Sequence, residues 1–241
     1  RMITLKGFGF TRLKTTLPTI IQDWYSMLRI GVPASATNML GPIALGILTR
    51  LTSQYGEAAV AGYGVGTRIE SLAMVVIMAL SSVMTPFVAQ NYGADKQLRI
   101  KESLRAALIF TVCWELFITL VLLATAKPIA QIFNNETAVI ETTALFLWIV
   151  PISYGFQGMV MVICSSLNAL QRPAIGMSIN CIRLFALTIP FAYIGDSALG
   201  LKGVFIGISI ANIIAGLGAL LWIINRLDSL TQPKQQATNP I

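Results

Sequence analysis

The chain has 241 residues, of which 55% are hydrophobic and only 11% are charged, and its mean hydropathy is +0.73. Soluble domains carry about 25% charged residues, so this composition excludes an ordinary soluble protein and predicts an integral membrane protein. The formal net charge of +7 could indicate a nucleic-acid partner, but the basic residues of the predicted loops account for that charge. We therefore expect membrane lipid, and no nucleic acid, as a partner.

Several kinds of chemistry are excluded by what the sequence lacks. Without histidine there is no Ser–His or Cys–His dyad and no HExxH zinc site. A GxxxxGK[ST] loop, a pair of intramembrane aspartates and a Gly-x-Ser-x-Gly motif are also missing, which argues against an ATP-driven pump and an intramembrane enzyme. The cysteines Cys113, Cys164 and Cys181 stand singly in apolar runs and are read as small hydrophobic side chains. We predict a protein that is not an enzyme, without a metal or cofactor.

The N-terminal half of the chain predicts a surface segment followed by two membrane spans. Residues 1–29 interleave basic and large apolar side chains, which indicates a basic segment along the membrane surface. We predict a cytoplasmic connector between lobes, and binding of anionic lipid is the alternative. The first span is predicted at 30–52, and the pair Gly41-Pro42 makes it a candidate hinge, although a static kink would use the same residues. The second span is predicted at 58–88, long enough for a hydrocarbon core of about 30 Å.

Four more spans follow the second one. They are predicted at 106–126, 142–168, 174–194 and 204–225, before a polar cytoplasmic tail at 226–241. Pro151 interrupts the fourth of the six and is a third hinge candidate. The fold class is therefore all-α, a polytopic bundle of six transmembrane helices.

The basic residues predict the orientation of the bundle. Six spans place both termini on one side, and Lys and Arg concentrate before the first span, between the second and third, at Arg172 and in the tail. By the positive-inside rule both termini are cytoplasmic, in a multi-pass protein of the inner cell membrane. This predicts cytoplasmic loops at 91–104 and 169–174, and outer loops at 53–57, 127–141 and 195–203.

Four ionisable residues fall inside the predicted spans: Arg68, Glu70, Glu115 and Arg183. A charge at membrane depth costs about 2.5–3.5 kcal/mol on insertion scales, so each is expected to face protein or a water-filled cavity. Arg68 and Glu70 point about 200° apart on a helix, which leaves Glu70–Arg183 and Glu115–Arg183 as possible pairs. Each carboxylate could couple transport to H⁺ or Na⁺, or could be a permanent structural ion partner.

Flexible and aromatic side chains suggest a lining for a substrate cavity. The candidates are Met74, Met78, Tyr154, Gln157 and Met161. Thioethers and aromatic rings suit promiscuous binding of lipophilic organic cations. Ordinary helix packing would use the methionines and the tyrosine equally well.

Three motifs carry a resemblance to a known family. They are Ile30-Gly31-Val32-Pro33-Ala34, then Val60-Ala61-Gly62-Tyr63-Gly64-Val65-Gly66-Thr67-Arg68-Ile69-Glu70 with Pro86 and Gln90-Asn91-Tyr92-Gly93-Ala94, and Leu167-Asn168-Ala169-Leu170-Gln171-Arg172-Pro173. In this order they resemble the first, second and fourth helices of the C-terminal lobe of multidrug and toxic compound extrusion (MATE) transporters. The resemblance extends over about residues 29–227.

The resemblance implies half of a secondary transporter. Members of the family have two six-helix lobes and exchange H⁺ or Na⁺ for organic cations by alternating access, so an N-terminal lobe is the expected partner. Sodium-coupled members carry carboxylates near the positions of Gly41 and Gln157, which are not acidic here. The chain is therefore more similar to the DNA-damage-inducible branch, whose crucial carboxylate lies in the other lobe. Two alternatives stay open: a flippase for lipid-linked precursors, which Arg68 and Arg183 permit without favouring it, and a self-dimerising half-transporter.

Overall fold

Apolar runs separated by short polar turns fold here into helices. The computed structural model describes Trp24 and residues 39–231, with burial described through residue 226. The described residues contain no β-strand, which confirms the all-α prediction. The connector at 1–29 (apart from Trp24, which is helical and exposed), the start of the first span and residues 232–241 lie outside the described part.

Eight α-helices follow one another in the described residues. They are α1 (residues 39–52), α2 (Glu57–Ala73), α3 (Val75–Gly93), α4 (Gln97–Phe133), α5 (Thr137–Ile149), α6 (Tyr154–Ala169), α7 (Pro173–Cys181) and α8 (Ile189–Thr231). A 3-10 turn follows α1 (Ser53–Tyr55), another joins α5 to α6 (Val150–Ser153), and a π-helical segment joins α7 to α8 (Ile182–Thr188).

Four helical stretches of the described residues are long and apolar enough to cross a membrane. They are Val75–Gly93, Gln97–Phe133, Thr137–Ala169 and Pro173–Arg226. The chain is thus a polytopic helical membrane protein, as the composition predicts. The count of six spans and the limits 1–29, 30–225 and 226–241 stay predictions.

The longest of these stretches, Pro173–Arg226, contains two helical arms of α8 that meet at Gly200. Gly200 has φ 61° and ψ −145°, a conformation that glycine adopts without the steric penalty of a side chain. Beside it the arms are so close that a Cβ on Gly195 would collide with the backbone of Gly203. The turn predicted over 195–203 is therefore concentrated at one residue.

The helix α4 is longer than the span predicted at 106–126. Its 37 residues extend about 56 Å at 1.5 Å per residue, well beyond a hydrocarbon core of about 30 Å. Ile100 near its start and Ala130 near its end are both buried, so both ends are held by packing. Pro128 lies inside the helix instead of ending it. The loops predicted at 91–104 and 127–141 are correspondingly too long, because only 94–96 and 134–136 separate the helices.

Two predicted spans contain an internal break. The span predicted at 58–88 changes from α2 to α3 at Met74. The span predicted at 142–168 changes at the 3-10 turn that contains Pro151, whose carbonyl accepts a 2.7 Å hydrogen bond from Thr119 Oγ1. Gly41 and Pro42 lie within helical residues of α1. Whether any of these positions works as a hinge stays a prediction.

Small residues let α2 and α5 approach closely. A Cβ added to Gly62 would lie 2.6 Å from Thr142 Cβ, and one added to Gly66 would lie 2.6 Å from the Phe146 ring. Gly64, between them, has nothing within 4 Å. Glycines four residues apart on one face are typical of tight helix contacts in membranes.

One hydrogen bond joins two connections outside the bundle core. Tyr55, between α1 and α2, donates its hydroxyl to the carboxylate of Asp196, near the turn of α8. This hydrogen bond raises the pKa of Tyr55 above its ordinary value, because removing the proton would place two negative charges side by side.

Candidate functional site

A partly polar cavity of about 330 Å³ lies among α1, α2, α5, α6, the π-helical segment and α8. Apolar side chains form part of the wall, among them Leu48 and Ile208. The polar lining residues are Tyr63, Thr67, Glu70, Ser71, Gln157, Arg183, Thr188 and Asn212. A cavity that combines apolar walls with a few converging polar groups is the usual form of a small-molecule site.

Four of these side chains form one chain of hydrogen bonds. Gln157 Nε2 donates to Glu70 Oε1 at 2.8 Å, and Gln157 Oε1 accepts from Asn212 Nδ2 at 3.2 Å. Asn212 Oδ1 in turn accepts from Arg183 Nη1 at 3.2 Å. A carboxylate and a guanidinium thus stand at the two ends, with two amides between them. Each residue comes from a different helical segment.

Irregular segments between the helices position these four hydrogen-bonded side chains. Arg183 lies on the π-helical segment, a rare form that is frequent at functional sites. Thr188 closes the segment by donating its hydroxyl to the Arg183 carbonyl at 2.7 Å. Asn212 Nδ2 also lies 3.3 Å from Ser153 Oγ, in the 3-10 turn before α6. The irregular backbone therefore lines the cavity, where polar backbone groups can be satisfied.

The four charged candidates separate into different environments. Glu70 and Arg183 are half-buried and share the cavity, linked through the two amides and not by a direct ion pair. Arg68 is exposed on another side of α2 and is not among the lining residues. Of the two pairings that the sequence left open, the structure places Glu70 and Arg183 in one network.

Glu115 lies apart from this network. It is fully buried on α4, and neither carboxyl oxygen has a hydrogen-bond partner among the described residues. The buried hydroxyl of Tyr154 also has no partner in that part of the chain. Gly155 of α6 faces this part of α4, since a Cβ added to it would lie 4.0 Å from Glu115 Cβ.

The predicted substrate contacts also lie in different environments. Gln157 lines the cavity, whereas the other four candidates do not. Met74 and Tyr154 are buried in the core, Met161 is partly buried against it, and Met78 is half exposed. Whether each side chain is buried or exposed depends on which face of its helix carries it, and the chemical type of the residue does not determine that face.

Asn212 is the member of the hydrogen-bonded network from Glu70 to Arg183 that the sequence analysis missed. It carries no charge and stands alone in the apolar run of α8, so no motif or spacing marks it. The one available signal was an amide inside a predicted span, a position where polar side chains are costly and usually functional. Among the hinge candidates, Gly41 lines the cavity and Pro42 and Pro151 do not.

Long apolar helices with internal breaks around a charged cavity are typical of one class of protein, the polytopic helical transporters. Comparison with known proteins gives the family. The family model described as MatE matches residues 33–194, and the chain belongs to this family of transporters.

Individual relatives agree with this assignment. An FAD transporter of Shewanella oneidensis is 32% identical over 217 residues, 90% of this chain and 46% of the relative. The multidrug export protein MepA of Staphylococcus aureus is 27% identical over 210 residues, 85% of this chain and 45% of the relative. The crystal structure of the Vibrio cholerae MATE transporter VcmN in the bent form aligns with a TM-score of 0.81 and 34% identity, covering 88% of this chain and 48% of that one.

The chain spans about half the length of the relatives it matches. This coverage is consistent with a single lobe, as the three motifs predicted, and the resemblance to MATE transporters is confirmed. The named relatives are transporters, which supports a transport role.

Proposed function

We propose that this chain is one lobe of a secondary transporter that exports lipophilic or cationic organic compounds in exchange for H⁺ or Na⁺. It would work by alternating access, together with a second six-helix lobe, in the inner cell membrane with both termini cytoplasmic. The observation that carries the proposal is the hydrogen-bonded chain from Glu70 to Arg183 along the wall of the cavity.

The position of Glu70 supports a role in cation exchange. Its carboxylate lines the cavity, and the positive charge that balances it stands two amides away, on Arg183. A proton, a sodium ion or an organic cation in the cavity would therefore compete with Gln157 for the carboxylate. Losing that bond would release α2 from α6, which offers a link between cation binding and helix movement.

Glu115 is the second candidate for carrying a proton. An uncompensated charge at a fully buried site costs several kcal/mol, and neither oxygen of this buried carboxyl group has a hydrogen-bond partner among the described residues. Its alternative role is to hold α4 against α6. Replacing the carboxyl group by an amide distinguishes the two roles, because the replacement removes the proton-carrying group but keeps its size.

A second substrate class is favoured by Arg183 and by one relative. The Shewanella oneidensis relative is named as an FAD transporter, and it is 32% identical over 90% of this chain. A guanidinium on the cavity wall suits the diphosphate of such a dinucleotide, because it can bind two phosphate oxygens at once. The second candidate function is therefore the export of an anionic dinucleotide such as FAD.

The test uses proteoliposomes that contain the complete two-lobe transporter. Transport of ethidium and of FAD is measured under an imposed pH or Na⁺ gradient, for the parent, Glu70→Gln and Glu57→Gln. Glu57 is an exposed carboxylate at the start of the same helix and serves as the matched control. We expect Glu70→Gln to lower gradient-driven transport at least about tenfold, because a charge-assisted hydrogen bond contributes about 1.5–3 kcal/mol. We expect Glu57→Gln to leave gradient-driven transport unchanged. Full gradient-driven transport by Glu70→Gln would overturn the role of this carboxylate.

Arg183→Gln distinguishes the substrates. If the dinucleotide is transported, its transport falls more than that of ethidium, because only the anion binds the guanidinium. A loss confined to ethidium would exclude binding of the dinucleotide by Arg183, and no FAD transport by the parent would exclude the dinucleotide as a substrate. Expressed without a second lobe, the chain is expected to leave the drug sensitivity of an export-deficient host unchanged, and clear resistance would favour a self-dimerising half-transporter.

A further inference from the structure

A second concavity lies away from the polar cavity, between α4, α6 and α8. It is a groove of about 680 Å³ whose walls are mostly apolar, with Leu108 and Val112 on α4, Met159 on α6 and Leu220 on α8. It shares no lining residue with the polar cavity. Its contents therefore need not be the transported substrate.

The groove has one cationic end. Among the described residues, Lys101 and Arg105 are the charged ones that line it, and they stand one turn apart on the same face of α4. The lining along α4 continues to Cys113, about 18 Å from Lys101 at 1.5 Å per residue. That length is close to one leaflet of a hydrocarbon core of about 30 Å. The groove thus fits a molecule with an anionic head and an apolar tail about one leaflet long.

The surroundings of the groove indicate where such a molecule comes from. Ile109 and Leu116 on α4 are 54% and 57% exposed, and Leu221 and Ile224 on α8 are 62% and 63% exposed. Exposed apolar side chains of a membrane protein contact lipid wherever no other protein covers them. On such a face the groove would open sideways to the bilayer, and a lipid could enter it without leaving the membrane.

We propose that the groove is a binding site for an anionic phospholipid of the bilayer. The phosphate contacts Lys101 and Arg105, and one acyl chain lies along Leu108, Val112 and Met159. Basic groups at the end of a groove between transmembrane helices attract anionic headgroups in this way. A lipid bound there contacts three helices at once and stabilises their packing by mass action.

The charge part of the proposal is tested by native mass spectrometry of the full chain, purified in mild detergent and titrated with phosphatidylglycerol or phosphatidylethanolamine. Lys101→Gln/Arg105→Gln removes the cationic end. Lys96→Gln/Arg99→Gln removes the same charge from exposed positions at the start of α4 that do not line the groove. We expect the first variant to bind phosphatidylglycerol about tenfold more weakly and the second to bind it like the parent.

The apolar part is tested by filling the groove. Ile109→Trp places a large ring in the groove, whereas Leu116→Trp places the same ring on the exposed face of α4 outside the lining. We expect only Ile109→Trp to lower the number of bound phosphatidylglycerol molecules. Equal affinity for the two lipids, or an equal loss in the two charge variants, would overturn the proposal. So would a dimer that Ile109→Trp dissociates, because the occupant would then be a second copy of the chain.

Discussion

The link between Glu70 and Arg183 can be tested by a double-mutant cycle. Glu70→Gln keeps an oxygen that accepts the 2.8 Å hydrogen bond from Gln157 but removes the negative charge. Arg183→Gln removes the guanidinium that donates to Asn212 at 3.2 Å. Because the two charges stand at the ends of one chain of hydrogen bonds, each single variant leaves the opposite charge without its counterpart.

The expected size follows from these bonds and from burial. Changing a charge-assisted hydrogen bond of about 1.5–3 kcal/mol into a neutral one of about 0.5–1.5 kcal/mol costs about 1–2 kcal/mol. Stranding a charge costs about 3–5 kcal/mol in a fully buried pair, and less here because Glu70 and Arg183 are only half-buried. We therefore expect each single variant to lose about 1–3 kcal/mol of unfolding free energy. The double variant should lose about 1–2 kcal/mol less than the sum of the singles.

The assay measures the amount of protein in the membrane and the thermal stability of purified protein for the parent, both single variants and the double variant. The control cycle combines Glu57→Gln with Arg68→Gln, two exposed and opposite charges on α2 that stand about 16 Å apart. That cycle should be additive within about 0.5 kcal/mol.

Two outcomes decide the role of Glu70. Low abundance of Glu70→Gln that Arg183→Gln restores indicates a structural partner and would contradict the role proposed for Glu70 in cation exchange. Normal abundance with loss of gradient-dependent efflux indicates a coupling residue. An additive cycle for Glu70 and Arg183 would refute the reasoning, because the two charges would then act independently.

Three further predictions concern orientation, packing and pH. A cysteine replacing Lys101 on a cysteine-free background is expected to resist labelling by a membrane-impermeant maleimide in intact cells, and labelling from outside would reverse the predicted topology. Gly66→Ala should cost about 1–3 kcal/mol of stability, because the added Cβ would lie 2.6 Å from the Phe146 ring. Gly64→Ala is the control and should cost nothing, because nothing lies within 4 Å of its added Cβ. Equal melting temperatures of the two variants would contradict this prediction. The hydroxyl of Tyr55 should ionise only above its usual pKa of about 10, so its hydrogen bond is present below that pH and lost as the pH rises. A difference absorbance titration against Tyr55→Phe checks this, and ionisation at or below pH 10 would be the contrary result.

Composition and local pattern were enough to predict the class, the family and several breaks in the helices. A hydrophobic fraction of 55% with only 11% charged residues indicates a membrane protein, whatever the order of the helices. The three motifs were sufficient for the family because they are short and contiguous. The break at Pro151 and a turn within 195–203, where Gly200 lies, were predicted because proline and glycine act on their own backbone. The sequence also marked Glu70 and Arg183 as charges that needed partners.

The length of α4 and the faces of the helices were decided by tertiary contacts. Residues around Ile100 look like a polar loop in sequence, yet they are helical because apolar positions at helical spacing find a core to contact. Met74 and Met78 have the same chemistry, but one is buried and the other is half exposed. Lipid and protein interior are equally apolar, so hydrophobicity alone cannot distinguish the two faces of a membrane helix.

The network in the cavity was also decided by the tertiary structure. The partner of Glu70 depends on the rotation and the height of α6 and α8 relative to α2, which no local pattern records. Asn212 joins Gln157 to Arg183 only because the arms of α8 and the π-helical segment meet at that level. A hydrogen bond requires its atoms within a few tenths of an ångström, and only the packing of whole helices sets distances to that accuracy.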